Sequence, residues 1–476
     1  ALYLGLVFNV LVMGTVSLAA IKFGEIVLGL EGWKTLLIAG TVTISYSTLG
    51  GLKAVIITDF VQFVLAMIGS IWACIYIVYL TEIGGLSSLI THEAVAPKLS
   101  LLPDMSDPSV WVPVLMVPLA VQWWASYYPG SEPGGGGYIA QRMFSAKDEK
   151  NAIGATLLFN IAHYALRPFP WILIALASLV IFPELSDISS VFPTLSADKI
   201  GHDISYPAML TKLPSGLLGL VAASLIAAFM STMSTQMNLG ASYLVNDFYR
   251  RFIKPEASQK ELINAAKGFT VISAILGMGL GLVLTDATQA FNLLLLLGAG
   301  TGAIYILRWF WWRINAWSEI SAMIVSGAIS LIFSSEVINE HFFGMQGFFP
   351  SWSKFPLTVL ITTLIWILIT YSTRPESEET LVNFYRKTTP GGPSWNFYFK
   401  SITKEKNIDI HFDKNWNVIS GIKAMLLGCL LIYSILFATG HWIYGNTITA
   451  ILVTILVMIS LYFLLKIWKT LKKKFL

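Results

Sequence analysis

The sequence predicts an all-α polytopic membrane protein with about 12 transmembrane helices. Three observations carry this. Of 476 residues, 55% are apolar and only 12% are charged, roughly half the charge of a soluble domain, and mean hydropathy is +0.69. The apolar residues gather in runs long enough to cross a bilayer, which takes about 20 residues. Finally, Lys and Arg fall very unequally on the two sides that these runs define. Disorder, a disulfide-rich secreted scaffold and an ordinary soluble enzyme are excluded. The net charge of +4 is too small to suggest nucleic-acid binding. Cys74 and Cys429 lie in apolar runs and read as small buried hydrophobes, with no metal spacing around them.

The spanning segments are, in order, 3–29, 33–50, 53–81, 110–128, 151–183, 213–249, 260–284, 287–312, 316–335, 356–373, 419–441 and 447–468. Longer stretches separate them at 82–109, 184–212 and 374–418. The first run starts almost at Ala1, with no basic leader or cleavage site, and reads as a membrane helix already under way. Walker A and Rossmann fingerprints are absent, as are HExxH, GxSxG and paired-carboxylate signatures, so no enzyme is expected. If the first segment runs outward, 24 of the 31 Lys and Arg fall on the cytoplasmic side and five outside. The positive-inside rule then places the C-terminus in the cytoplasm. The other two, Lys22 and Arg167, are assigned to the interior of segments. Trp and Tyr cluster at segment ends, as in Trp309-Phe310-Trp311-Trp312, in the manner of an interfacial belt.

Four segments carry polar chemistry. The fourth reads as a broken helix: Val110–Tyr128 is apolar, Pro129-Gly130-Ser131-Glu132-Pro133 and four glycines follow, and a helical pattern resumes at Tyr138. Pro and Gly oppose a helix, and broken backbone at membrane depth is found where it lines a cavity or lies within protein. An ordinary loop is the plainer alternative. In the fifth segment, Asn160, His163 and Arg167 share one face at spacings of three and four, ahead of Pro168 and Pro170. Glu132 is the expected counter-ion of Arg167. In the third, Asp59 is an intramembrane carboxylate or an interfacial partner of Lys53. In the sixth, Ser224, Ser231, Ser234, Thr235, Asn238 and Ser242 fall within about 100° of arc at 100° per residue, with Thr232 on the flank. Hydroxyl oxygens suit a hard cation such as sodium. Bonds back to the preceding turn, or across to another helix, account for such a face equally well.

Three motifs resemble the sodium/solute symporter family, which includes the sodium–glucose, sodium–proline and sodium–sialic acid carriers. Gly50-Gly51-Leu52-Lys53-Ala54-Val55 with Thr58-Asp59 and Gln62 is similar to its GGxxAVxxTDxxQ stretch. Gln141-Arg142 with Ala146-Lys147 is similar to QRxxxAK, and Ala227–Thr235 with Asn238 and Asp247-Phe248-Tyr249 to its sodium-binding helix. The resemblance implies the leucine-transporter type of inverted repeat. Residues 1–312 would form the transporter core, as its third to tenth core helices, with the first two core helices lacking. Residues 313–373 would add two helices, 374–418 a cytoplasmic loop, and 419–476 two C-terminal helices and a basic tail.

By the same resemblance, a shared sodium site would use the carbonyl of Ala228 and the hydroxyls of Ser231 and Thr232. A second would use Asp59, Ser231, Ser234 and Thr235. Gln122 and His163 would contact solute, with Glu132, Asn160 and Arg167 beside them. The family's sugar carriers have Lys where this chain has His163, and the Pro-Gly-Ser-Glu-Pro insertion is a further departure, so a sugar is not implied. The expected function is sodium-coupled symport of a small organic solute by alternating access in the cell membrane. Sodium is the coupling ion, no organic cofactor or nucleic acid is involved, and the partners are solute, sodium and the lipid bilayer. The alternative is a non-transporting receptor or sensor on the same fold.

Overall fold

A computed structural model describes residues 2–125, 137–192, 200–285, 295–344, 347–390, 392–406 and 418–475. Every regular element among them is helical. Ten of the helical stretches are long and apolar enough to cross a membrane. The chain divides into two units. The first comprises Ala1–Leu101, Gln141–Ala290 and Ser420–Leu476, and the second Leu102–Ala140 and Phe291–Ile419.

The first unit is built on α1 (Asn9–Val27), α2 (Gly32–Val78), α5 (Glu149–Asn160, continued through a π-turn at Ile161–Leu166 into Pro168–Ile181), α6 (Ser215–Ser242, continued by Tyr243–Ile253) and α7 (Gln259–Val283). It also holds α12 (Val418–Ile443) and α13 (Thr447–Phe475). The second contains α3 (Pro108–Ala125), α8 (Ala316–Ser334), α9 (Lys354–Ser372), α10 (Glu378–Thr388) and α11 (Pro393–Lys406). Helix α4 (Gly137–Phe144) crosses from one unit to the other.

Three expected segments differ from the helices found. Segments 33–50 and 53–81 form the single 47-residue helix α2, which if straight would run about 70 Å at 1.5 Å per residue. Thr35 and Val42 line one cavity with Ala228 and Thr232 of α6, yet Asp59 bonds Ser231 of the same helix. Both arms of α2 therefore lie against α6, and α2 bends back between Val42 and Asp59. The expected break after residue 50 is thus a continuous stretch of helix. In segment 287–312, residues 286–294 lie outside the described part. The remainder is interrupted by a turn with Gly300 at φ +85° ahead of the short helix Gly302–Leu307. Three glycines in five residues make that turn accessible. Gly300 N–H donates to the carbonyl of Ala125 at 3.0 Å, so the end of the described part of α3 and this turn satisfy one another's backbone.

Packing in the first unit depends on small residues. On α7, a Cβ at Gly277 would meet Met13 Cβ, and one at Gly281 would meet Ser17 Cβ and the Gly14 carbonyl oxygen. Gly277 and Gly281 are four apart, the spacing that lets membrane helices approach closely. Ile272, Ile275 and Val283 of the same helix are exposed, as they would be toward lipid. A larger apolar cluster in the same unit includes Phe23, Ile77, Ile174, Met209 and Val221. Cys74 is buried, whereas Cys429 is exposed on apolar α12, where a lipid-facing thiol costs little. In the second unit the 374–418 stretch is not an open loop throughout: α10 and α11 pack through Leu381, Tyr385, Trp395 and Phe399, and Trp395 Nε1 donates to the Arg308 carbonyl at 2.9 Å.

Gly281→Leu should lower stability by about 1–3 kcal/mol through overpacking. Gly279→Ala, whose Cβ would meet nothing within 4 Å, should leave it unchanged or raise it. Thermal unfolding in detergent measures both, and equal melting temperatures for the two variants would refute the close α1–α7 seam.

Candidate functional site

The polar face of α6 divides once the side chains are placed. Ser224 Oγ donates to the Val221 carbonyl at 2.8 Å, Ser234 Oγ to the Ser231 carbonyl at 3.0 Å, and Asn238 Nδ2 to the Ser234 carbonyl at 2.8 Å. For these three the back-bonding expected of hydroxyl and amide side chains in membrane helices holds. Ser242 accepts from Asn246 Nδ2 at 3.3 Å and is exposed.

Ser231 and Thr235 do something else. Ser231 Oγ donates to Asp59 Oδ1. Arg142 Nη2 donates to Asp59 Oδ2 at 2.8 Å and lies 3.3 Å from Thr235 Oγ1. Both oxygens of the Asp59 carboxylate are thus engaged, one by a hydroxyl and one by a guanidinium. The Arg142 and Asp59 side chains are 26% and 21% exposed, and Thr235 is buried. The second arm of α2 supplies the carboxylate, α6 the hydroxyls and α4 the cation. Sequence reasoning paired Asp59 with Lys53 as its alternative and left Arg142 among the cytoplasmic charges. The two residues are 83 positions apart, and helical periodicity relates no such pair. The signal available was the count of full charges near membrane depth, where each requires a partner.

Ala228 and Thr232 face elsewhere. They line a cavity of about 570 Å³ together with Thr15, Lys22, Thr35 and Tyr206. Lys22 Nζ pairs with Asp203 Oδ2 at 2.7 Å, the lysine side chain being only 5% exposed. Lys22 was legible as one of two basic residues inside a segment, but its partner was not, because Asp203 comes from the turn His202–Ile204 before the short helix Ser205–Leu210. Burial raises the Tyr206 phenol to about 12, so it is protonated at any physiological pH. Among the described residues, no cluster of three or more His, Cys, Asp and Glu side chains could hold a metal ion.

On α5, the expected face is partly preserved. Arg167 Nη1 lies 2.8 Å from His163 Nδ1. Arginine has no acceptor, so Nδ1 accepts and Nε2 carries the ring proton. The guanidinium also sits 4.4 Å from the centre of the Trp171 ring, a cation–π contact, and Trp171 Nε1 donates to Ser70 Oγ at 3.3 Å. His163 stacks on Phe159 with ring centres 5.0 Å apart. Asn160 turns away and donates to the Thr156 carbonyl at 2.8 Å. The π-turn has a physical cause. Pro168 has no N–H to donate and its ring crowds the preceding turn, and the helix widens there, with Arg167 N–H reaching back to Ala162 O at 3.0 Å. Glu132, the expected counter-ion of Arg167, lies outside the described residues. Most of the expected break in the fourth segment, residues 126–136, lies outside them too. Gln122 belongs to α3 in the second unit and is partly buried.

Known proteins match this arrangement widely. A sodium/glucose cotransporter of Vibrio parahaemolyticus is 25% identical over 63% of this chain and 57% of its own length. The osmoregulated proline transporter OpuE of Bacillus subtilis is 27% identical over 62% and 56%. The sodium/sialic acid symporter SiaT of Proteus mirabilis is 26% identical over 67% and 64%. The chain thus spans somewhat over half the length of these relatives. All three are named as carriers and none as an enzyme. A solved structure of a Na⁺-coupled sialic acid symporter, in a substrate-bound outward-open state, superposes with a TM-score of 0.56 at 20% identity, over 78% of this chain and 74% of that one. That likeness establishes the fold. The sequence pattern described as the Sodium:solute symporter family matches residues 1–326, and with the motifs on α2, α4 and α6 it makes this chain a multi-pass membrane member of that family.

Proposed function

We propose that the protein carries out sodium-coupled symport of a small polar organic solute by alternating access, as an integral protein of the cell membrane with its C-terminus in the cytoplasm. The observation that carries this reading is the meeting of Asp59 with Ser231 on α6, with Thr235 of the same helix joined to Asp59 through Arg142, within a chain of this family. One carboxylate and neutral hydroxyls form a hard-oxygen set suited to an alkali cation. Asp59, Ser231, Ser234 and Thr235 would form one sodium site. Ala228, Ser231 and Thr232 would contribute to another. Ser231 belongs to both, and so links them.

Sodium supplies the driving force. Each charge moved inward gains about 2.3 kcal/mol per 100 mV of membrane potential. Two ions per cycle would therefore raise solute well above its outside concentration. The chemistry required of the chain is limited to binding sodium reversibly and admitting solute only when sodium is present. For the solute, His163 Nε2–H and the Arg167 guanidinium are donors on one stretch of α5, with Gln122, Asn160 and Glu132 as further polar groups of the solute path. Donors of this kind suit an oxygen-rich solute. The names of the relatives span a sugar, an imino acid and an acidic sugar, so the solute is to be found by test.

In proteoliposomes holding the protein, an inward sodium gradient should drive uptake of at least one solute from a panel of sugars, amino acids and carboxylates. A potassium gradient should not. With that solute, Asp59→Ala should lower the sodium Hill coefficient from about two toward one, and Ser234→Ala should weaken sodium activation to a smaller degree. An unchanged Hill coefficient in Asp59→Ala would overturn the second sodium site. On the solute side, Arg167→Gln should raise the half-saturating solute concentration about tenfold or more, as expected for losing a charged hydrogen bond, with sodium activation of the same variant shifted far less. Equal shifts for solute and sodium would place Arg167 outside the solute path. Absence of sodium-driven flux for the whole panel, with sodium binding retained, would favour a receptor on this fold.

A further inference from the structure

We propose that Arg142 is a tethered cation that competes with sodium for Asp59, so that the Arg142–Asp59 ion pair and a sodium ion on Asp59 exclude one another. This rests on the reading of Asp59 as a sodium ligand and adds the group that takes the ion's place.

The contacts are specific. One nitrogen of Arg142, Nη2, reaches both Asp59 Oδ2 at 2.8 Å and Thr235 Oγ1 at 3.3 Å. Those are two of the oxygens that a sodium ion at this site would need. A guanidinium and a bare cation cannot both occupy the space in front of them. They carry the same charge, so exchanging one for the other leaves the local charge unchanged. That matters at this depth, because an intramembrane carboxylate without a cation is costly. Guanidinium is also more weakly hydrated than a compact cation, which favours its withdrawal into a partly dry site when an ion leaves. Ser231 fits either occupant: it donates to Asp59 Oδ1 in the ion-paired state, and its oxygen retains lone pairs for a cation.

A comparison within the molecule distinguishes this pair from a static brace. The Lys22–Asp203 pair buries its lysine to 5% exposure, with the aspartate 30% exposed, and borders the cavity of Ala228 and Thr232 rather than the oxygens around Asp59. The Arg142–Asp59 pair leaves 26% and 21% of its side chains exposed, so water and ions can reach it. Arg142 sits on the eight-residue helix α4, so exchanging the ion pair for a sodium ion would act on α4 as well as on α2 and α6, and Arg142 would be a positioning residue for the ion cycle.

The test is ²²Na⁺ binding to the purified, detergent-solubilised protein by scintillation proximity, with choline replacing sodium at constant ionic strength. Arg142→Gln should tighten sodium binding about tenfold, within the usual range of coupling between two ligands. Arg142→Lys, which keeps the charge but loses the planar fork, should tighten it less. In an Asp59→Asn background, Arg142→Gln should have no further effect. A structural brace would behave oppositely, with sodium binding weakened or unchanged in Arg142→Gln. Either result, in protein that elutes as one species, overturns the proposal. Should Arg142→Gln not fold, unchanged or weaker binding in Arg142→Lys does the same. Absence of sodium binding in the unmodified protein, by contrast, removes the reading of Asp59 as a ligand and with it the basis for any competition.

Discussion

A full charge inside a low-dielectric layer must be answered by a counter-charge or by polar and π partners, and the described part of the first unit is arranged around that requirement. Asp59 is answered by Arg142 and by a hydroxyl from α6. Lys22 is answered by Asp203. Arg167 is shared between a histidine nitrogen and the face of an indole ring. Asp59 joins α2, α4 and α6, Lys22 joins α1 to the turn His202–Ile204, and the Arg167 contacts lie within α5, whose Trp171 reaches Ser70 of α2. These contacts give the helices fixed neighbours in a way that apolar packing alone would not. Lipid tails are as apolar as leucine, so burial of leucine gives these helices little preference for one another over the bilayer.

Close contact comes from the other end of the size scale. Gly14, Gly277 and Gly281 bring α1 and α7 together, and the backbone approaches that result gain dispersion energy over many atoms. The same tolerance for irregular backbone recurs where function is expected. There is a π-turn ahead of Pro168, a left-handed glycine at Gly300 whose N–H caps α3, and a bend in α2 between its two arms. At the π-turn and at Gly300 the backbone N–H has a partner, as a membrane interior requires.

Much of this was legible in the residues. Composition and the placement of Lys and Arg indicated an all-helical membrane protein, and the motifs around Asp59, Gln141-Arg142 and Ser231 pointed to the family. What escaped was contact between distant positions. That Arg142 pairs with Asp59, and Asp203 with Lys22, depends on how elements far apart in sequence come to lie together, which periodicity within one helix cannot express. The polar face of α6 was visible as an arc of six residues, but the arc does not say which side chains turn back on their own helix. Ser224, Ser234 and Asn238 do so. The expected loop after residue 50 proved helical, because a bend needs fewer broken hydrogen bonds than a gap. The Gly277–Gly281 seam has the four-residue spacing of a close-packed pair, but among 37 glycines spacing alone does not single it out.

The split of the α6 face bears on how ion and solute could be linked. Ser231 points toward Asp59, whereas Ala228 and Thr232, one turn back and one residue on, line the cavity that holds Lys22 and Tyr206. A single rigid helix therefore presents groups to two separate spaces, about 100° apart around its axis. Rigid helices transmit a small rotation over their whole length, while flexible loops absorb it. On the proposed reading, a cation drawing Ser231 toward Asp59 would also turn Thr232 relative to the cavity. Coupling between two binding events needs only a shared element with a different preferred position in each state. The proposed site would also have to release its ion. Neutral hydroxyls around one carboxylate would allow that, whereas a cluster of carboxylates would hold a cation too tightly to turn over.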